Sequence, residues 1–155
     1  MIEAIEDRTI AFLNEQVEAI DDAFDLLFEL EVLDSPYATI TKDFGVMVDE
    51  GDSDFAPTSG GEDIEEFDGK LTLVVYSRVE GPEYDDRKAA RTRGIEVAKR
   101  VAFWFLMDPT MNERVNDSRV LRCLRGWANF QSEPYVILNV PLIINETGAS
   151  DGEQF

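Results

Sequence analysis

Ten residues, KLTLVVYSRV (Lys70–Val79), constrain the fold more than any other stretch of the chain. Leu71, Leu73 and Val75 alternate with Thr72, Val74 and Tyr76, and a run so rich in β-branched and aromatic residues reads as a strand. Gly81-Pro82 ends it, and the apolar spacing then changes from that of a strand to that of a helix. Asp85 or Asp86 caps this helix, which reaches about Met107 and buries Ala90, Gly94, Val97, Ala98, Val101 and Phe105. A mid-helix glycine costs about 1 kcal/mol relative to alanine. Gly94, one turn from small Ala90 and Ala98, therefore predicts close packing of the helix on a sheet.

The remaining elements are read around this strand-turn-helix. Residues 2–32 carry apolar positions at helical spacing, as one long helix or as two with Asp21-Asp22 as break and second N-cap. Ser35-Pro36 stops any helix, and YATITKDFGVMV reads as a strand interrupted at Asp43 to Gly45. VLRCLRGWANF reads as a strand with a bulge or bend at Gly126, and EPYVILNVPLII as its closing partner, where Pro141 argues for an edge position or a bulge. Phe103, Trp104 and Phe105 are read as core by their helical spacing, and NETGASDGEQF as a mobile polar tail. At 155 residues and 44% apolar the chain suffices for one core. The expected organisation is a single domain over residues 1–146 and a flexible tail over 147–155.

Charge is distributed unevenly. Residues 1–70 hold 21 acids and 3 bases, residues 71–155 hold 12 acids and 11 bases, and the whole chain carries −19. Such a chain repels phosphate backbones, so a dedicated nucleic-acid grip is not expected. Ten of the fourteen cations lie between Arg87 and Arg125, and a chain with an acidic half and a basic band can attract copies of itself head to tail. The basic face expected to pair with a neighbour's acids comprises Arg87, Lys88, Arg91, Arg93, Lys99 and Arg100 on the helix, with Arg114 and Arg119 beyond it.

The acidic half culminates in DEGDSDFAPTSGGEDIEEFDG (Asp49–Gly69), with nine carboxylates and no cation. Read as a calcium loop from Asp52, it has Ala56 and Pro57 where a ligand and the turn glycine are required, so the register fails and no metal is expected. It reads instead as a long hairpin loop, flexible at PTSGG and acidic at both shoulders. The chain has no histidine, no GxGxxG and no GxxxxGK[ST], and its one cysteine excludes a CxxC site. Cys123, among apolar neighbours and without a histidine base, is read as a buried inert thiol in a reducing compartment. No enzyme, cofactor or membrane span is expected, and the chain is expected in the cytoplasm or assembled from it.

The order of these elements, with the segments LTLVVYSRVEGPEYDDRKAA, DPTMNERVNDSRVLRCLRGW and YVILNVPLII, resembles the tail-terminator (tail-completion, or minor tail) proteins of long-tailed bacteriophages, the lambdoid terminator above all. The resemblance covers about residues 1–146 and is one of layout. It implies an α/β (α+β) fold, a mixed, largely antiparallel sheet with a long acidic hairpin and helices packed on the sheet. It also implies a virion structural role without catalysis. Such proteins form hexameric rings that cap the tail tube, stop its polymerisation and join the tail to the head connector in the phage neck, with DNA passing through the lumen without specific binding. Six copies at −19 each carry −114, a field that keeps DNA from adhering to the lumen. The acids Asp49, Glu50, Asp52, Asp54, Glu62, Asp63, Glu65 and Glu66 are expected to face the lumen or the tube. A head-completion or connector adaptor of the neck, and a non-viral acidic protein-binding domain, are the alternatives.

Overall fold

A computed structural model describes residues 4–49, 55–60 and 65–147, with 55–60 and 65 described through the backbone alone. The fold is α+β: two helices on a mixed, mostly antiparallel open sheet. The elements are α1 (Ile5–Glu18), β1 (Glu31–Leu33), β2 (Phe44–Asp49), β3 (Phe55–Gly60), β4 (Glu65–Arg78), α2 (Tyr84–Met107), β5 (Asp117–Val120), β6 (Leu124–Phe130) and β7 (Glu133–Thr147). The sheet order is β1-β2-β4-β7-β5, with β3 beside the first half of β4 and β6 beside the first half of β7. Among the described strands only β1, against β2, is parallel to its neighbour.

The strand KLTLVVYSRV forms the second half of β4, and β7 runs against it from Glu66 opposite Thr147 to Arg78 opposite Tyr135. Because side chains alternate across the sheet, Leu71, Leu73 and Val75 share one face with Val136, Leu138, Val140, Leu142 and Ile144. On this face sit both helices, and all of these residues are buried. Gly94 of α2 lies where the helix crosses β7. A Cβ there would stand 2.8 Å from Leu138 Cδ1 and 3.4 Å from Ser77 Cβ, the close approach that the small residues of α2 predict. The opposite face carries a smaller cluster of Met47, Val74, Tyr76 and Tyr135, closed by Leu33, Ile40, Phe130 and Ile137.

Several expectations are corrected. The first helix ends at Glu18, and the residues read as a second helix instead form turns and then β1. The Asp22 and Asp25 carboxylates accept the backbone N–H groups of Phe24 and Leu27, local bonds that compete with helix formation. Residues 34–43 are not strand. They are held by Glu31, whose carboxylate accepts from the Thr41 and Lys42 amides and from the Thr41 and Tyr76 hydroxyls.

The segment read as one strand over 120–130 is two, β5 and β6, separated at Leu121–Cys123, and Gly126 pairs with Ile137 in unbroken register. β7 is an inner strand, so Pro141 is not at an edge. Its carbonyl accepts the Leu121 amide, which means that its missing donor faces the break between β5 and β6, where no ladder bond is lost. Residues 57–60 of the PTSGG segment are strand, paired with β4 through an irregularity between Pro57 and Ser59. Residues 50–54 and 61–64 of the segment expected to be an acidic hairpin, and residues 148–155 of the expected tail, lie outside the described residues.

Candidate functional site

The cations of the expected basic face divide into two sets, and the helical period decides which belongs to which. Tyr84, Lys88, Arg91, Ile95, Lys99, Ala102 and Leu106 recur at intervals of three and four and so share one flank of α2. Arg93 and Arg100 occupy the other flank, Arg93 against Asp43 just before β2 and Arg100 against Asp25 in the turns before β1. There they are consumed within the chain. Arg100 makes a two-pronged pair with Asp25, at 2.7 Å for each contact, and this hydrogen-bonded pairing holds the Asp25 carboxyl below the usual carboxylate range. Arg93 donates to Ser77 Oγ and to the carbonyls of Asp43 and Arg78, and its guanidinium lies 5.5 Å from the Phe44 ring centre.

Arg114 is likewise internal. It pairs with Glu15 of α1 and donates to the Met111 carbonyl. The turn that carries it is unusual, because Met111, Asn112 and Glu113 all adopt left-handed backbone angles (φ 52, 58 and 64). Asp108 sustains it by accepting from the Thr110 hydroxyl and the Asn112 amide, and Met111 is buried with the Thr9 hydroxyl directed at its sulfur. Arg8 of α1 pairs with Glu146 and donates to the Arg114 carbonyl, which locks this turn, α1 and the end of β7 together.

Arg87, Lys88, Arg91, Lys99 and Arg119 remain, and no ion pair engages any of them among the described residues. Toward the start of α2, Arg87, Lys88 and Arg91 surround Tyr84 and Trp127, the latter 57% exposed, in a small cationic and aromatic recess. Toward its end the same flank opens into a groove of about 610 Å³ over β5 and the β5–β6 break. Ala98, Ala102, Phe105, Leu106, Val120 and Leu138 line it, with Lys99 and Arg119 among them. The groove follows from the width of the sheet. α1 and the turns before β1 cover the β2 side of α2, but nothing among the described residues covers the β5–β6 side.

Two features of this groove escaped the sequence. Phe103 is 54% exposed and lines the groove rather than the core, and Cys123 is exposed beside it, not buried. Partial burial still raises the thiol's pKa, so it stays protonated near neutral pH. Ser118, more than nine-tenths buried, lies in the groove wall, and its Oγ has no hydrogen-bond partner among the described residues. Exposed apolar side chains next to two cations that no described residue pairs suit a protein ligand that brings both an apolar group and a carboxylate.

Of the acidic set, Asp49 closes β2 and Glu66 lies near the start of β4, facing Thr147 across the ladder. Glu65 is placed by its backbone alone, opposite Gly60 of β3. Glu50, Asp52, Asp54, Glu62 and Asp63 lie outside the described residues. Among the described residues no three acids or cysteines converge as a metal site, and no helix is long and apolar enough to cross a membrane. No protein-family model matches the sequence, and no curated protein matches it either.

Proposed function

We propose that this chain is a ring-forming structural protein of a phage tail, a tail terminator that caps the tube and joins it to the head connector. One observation carries the reading beyond layout: the two flanks of α2 differ in chemistry. One flank presents free cations and an open apolar groove. The other presents turns with exposed Asp21, Asp22 and Phe24, the latter 98% exposed. Unlike surfaces on opposite sides of one subunit favour a head-to-tail contact, and such a contact closes into a ring when its rotation permits. The resemblance in element order supports the tail as the place where the ring works, and the α+β fold agrees with it.

On this reading the free cations serve protein carboxylates, not DNA, because the chain's −19 opposes any close approach to phosphate. The reading makes a direct demand on the isolated protein. Light scattering at raised protein concentration and physiological salt is expected to give the mass of a closed oligomer, about six chains, in exchange with monomer. High salt should screen the general self-repulsion and the specific pairs alike, so the apolar contact decides what survives. A mass that stays monomeric under every condition, with tail tubes present as well as absent, contradicts the reading.

A further inference from the structure

The groove on the free flank of α2 and the exposed Phe24 on its other side are each incomplete. Phe24 stands almost fully in solvent on turns shaped by Asp22 and Asp25, and Asp21, Asp22 and Ala23 beside it are exposed too. Its neighbour Asp25 is tied to Arg100, so the turn is anchored to α2 and presents the ring at a fixed place. The groove, anchored on the opposite flank of the same helix, exposes Phe103 and Leu106 and carries Lys99 and Arg119, which have no ion-pair partner among the described residues. An aromatic side chain carried between carboxylates has the shape and charge that this groove lacks.

We propose that the groove between α2 and β5–β6 receives Phe24 of a second copy of this chain, with that copy's Asp21 and Asp22 set against Lys99 and Arg119. The assignment rests on the ring reading and names the contact by which the ring forms. Phe24 fills the apolar length of the groove beside Ala102 and Leu106. The flanking carboxylates supply counter-charges for the two cations. Since donor and receptor surfaces lie on opposite flanks of α2, one subunit cannot satisfy itself, and an open chain of copies keeps one empty groove and one unused Phe24 at its two ends until the ring closes.

The natural cysteine makes the contact testable in the full chain, because Cys123 is exposed beside the groove. With Ala23→Cys added and a short bis-maleimide as cross-linker, the expected product is a covalent ladder from dimer to closed ring on a denaturing gel. The unmodified chain, and Ala23→Cys combined with Cys123→Ser, each have one thiol and should stop at dimers. Adding Phe24→Ala is expected to weaken the subunit contact about 30-fold and to collapse the ladder, while thermal melting of the monomer is unchanged. Phe24→Trp should restore it.

Rings that form without any ladder, or whose ladder ignores Phe24→Ala, overturn this contact and leave the ring reading standing. A groove thiol that becomes protected only when tube protein is added assigns the groove to the tube, which also overturns it. A chain that never leaves the monomer removes both.

Discussion

Replacing Phe105 by alanine is expected to remove about 4 kcal/mol of folding stability. Phe105 is 1% exposed, and its ring centre lies 5.2 Å from that of Phe12 with the planes tilted at 58°. It joins α2 to α1 from above and meets the sheet below, so truncation leaves a cavity bounded by elements that the Arg8–Glu146 and Arg114–Glu15 pairs hold in place. Such a site cannot collapse to refill the space. Against a typical total of about 5–15 kcal/mol, the loss leaves a marginal protein. Urea unfolding of the two chains at equal slope measures it, and a difference below about 1 kcal/mol would mean that α1 is not held as described. Phe105→Leu should recover more than half of the loss, because it refills most of the volume.

Gly45→Ala is expected to cost about 3 kcal/mol, although it adds one methyl group. Any Cβ at Gly45 would clash with the Tyr76 hydroxyl and approach the Glu31 carbonyl oxygen to 2.6 Å. That carbonyl belongs to the backbone of β1, which cannot rotate aside as a side chain can. The same methyl would push Tyr76 from Glu31, whose carboxylate it reaches at 2.7 Å. Burial alone would raise the Glu31 pKa, but the four donors from Thr41, Lys42 and Tyr76 more than offset it, and the carboxyl titrates below its usual 4.5. Tyr76 moves the opposite way, raised by burial and by the adjacent carboxylate.

The pH dependence follows from the direction of the Glu31 shift. A carboxyl with a lowered pKa in the folded chain stabilises fully above its unfolded value, and this contribution fades as pH falls through the folded value. The gap between Gly45→Ala and the parent should therefore be widest at neutral pH and narrow in acid, below 4.5. Denaturant melts at several pH values test this, and a gap that widens in acid would contradict it. Gly94→Ala is the contrasting case. Its close neighbour is the mobile end of Leu138, and the helix gains about 1 kcal/mol from alanine, so the two effects nearly cancel.

What the sequence revealed, and what it withheld, divides along physical lines. α2 and the second half of β4 were legible because each is long enough for its period to repeat several times within one environment. β1 has three residues, too few to alternate, and it exists because β2 offers it an edge. The break between β5 and β6 carries no glycine or proline, and the β6–β7 hairpin turns at Gln131 and Ser132, both at positive φ without the residues that usually signal such a turn. Pro141, read as the mark of an edge or a bulge, lies instead on an inner strand in regular register with β4. Its position, opposite a gap and not at an edge, depends on which strands pair with β7.

The candidate site divides in the same way. The cations were visible in the sequence, but the split between Arg93, Arg100 and Arg114, which are paired within the chain, and Arg87, Lys88, Arg91, Lys99 and Arg119, which no described residue pairs, depends on what lies beside each of them in the fold. Helical spacing could have separated Arg93 and Arg100 from the rest, since they fall off the 84, 88, 91, 95, 99 series. No spacing reveals the groove, because it exists where no described element covers β5 and β6. Phe103 was read as core for the same reason: its place in the helix is compatible with burial, and only the neighbour is missing.

The most direct measurement is made on growing tail tubes. Tube protein is polymerised with and without this chain at matched concentrations, and tube lengths and tube ends are recorded by negative-stain electron microscopy. The account predicts that tubes become shorter as the chain is added, that each capped tube carries a six-fold ring at one end only, and that capped ends no longer grow. Tubes of unchanged length with bare ends, in the presence of excess folded chain, would contradict it.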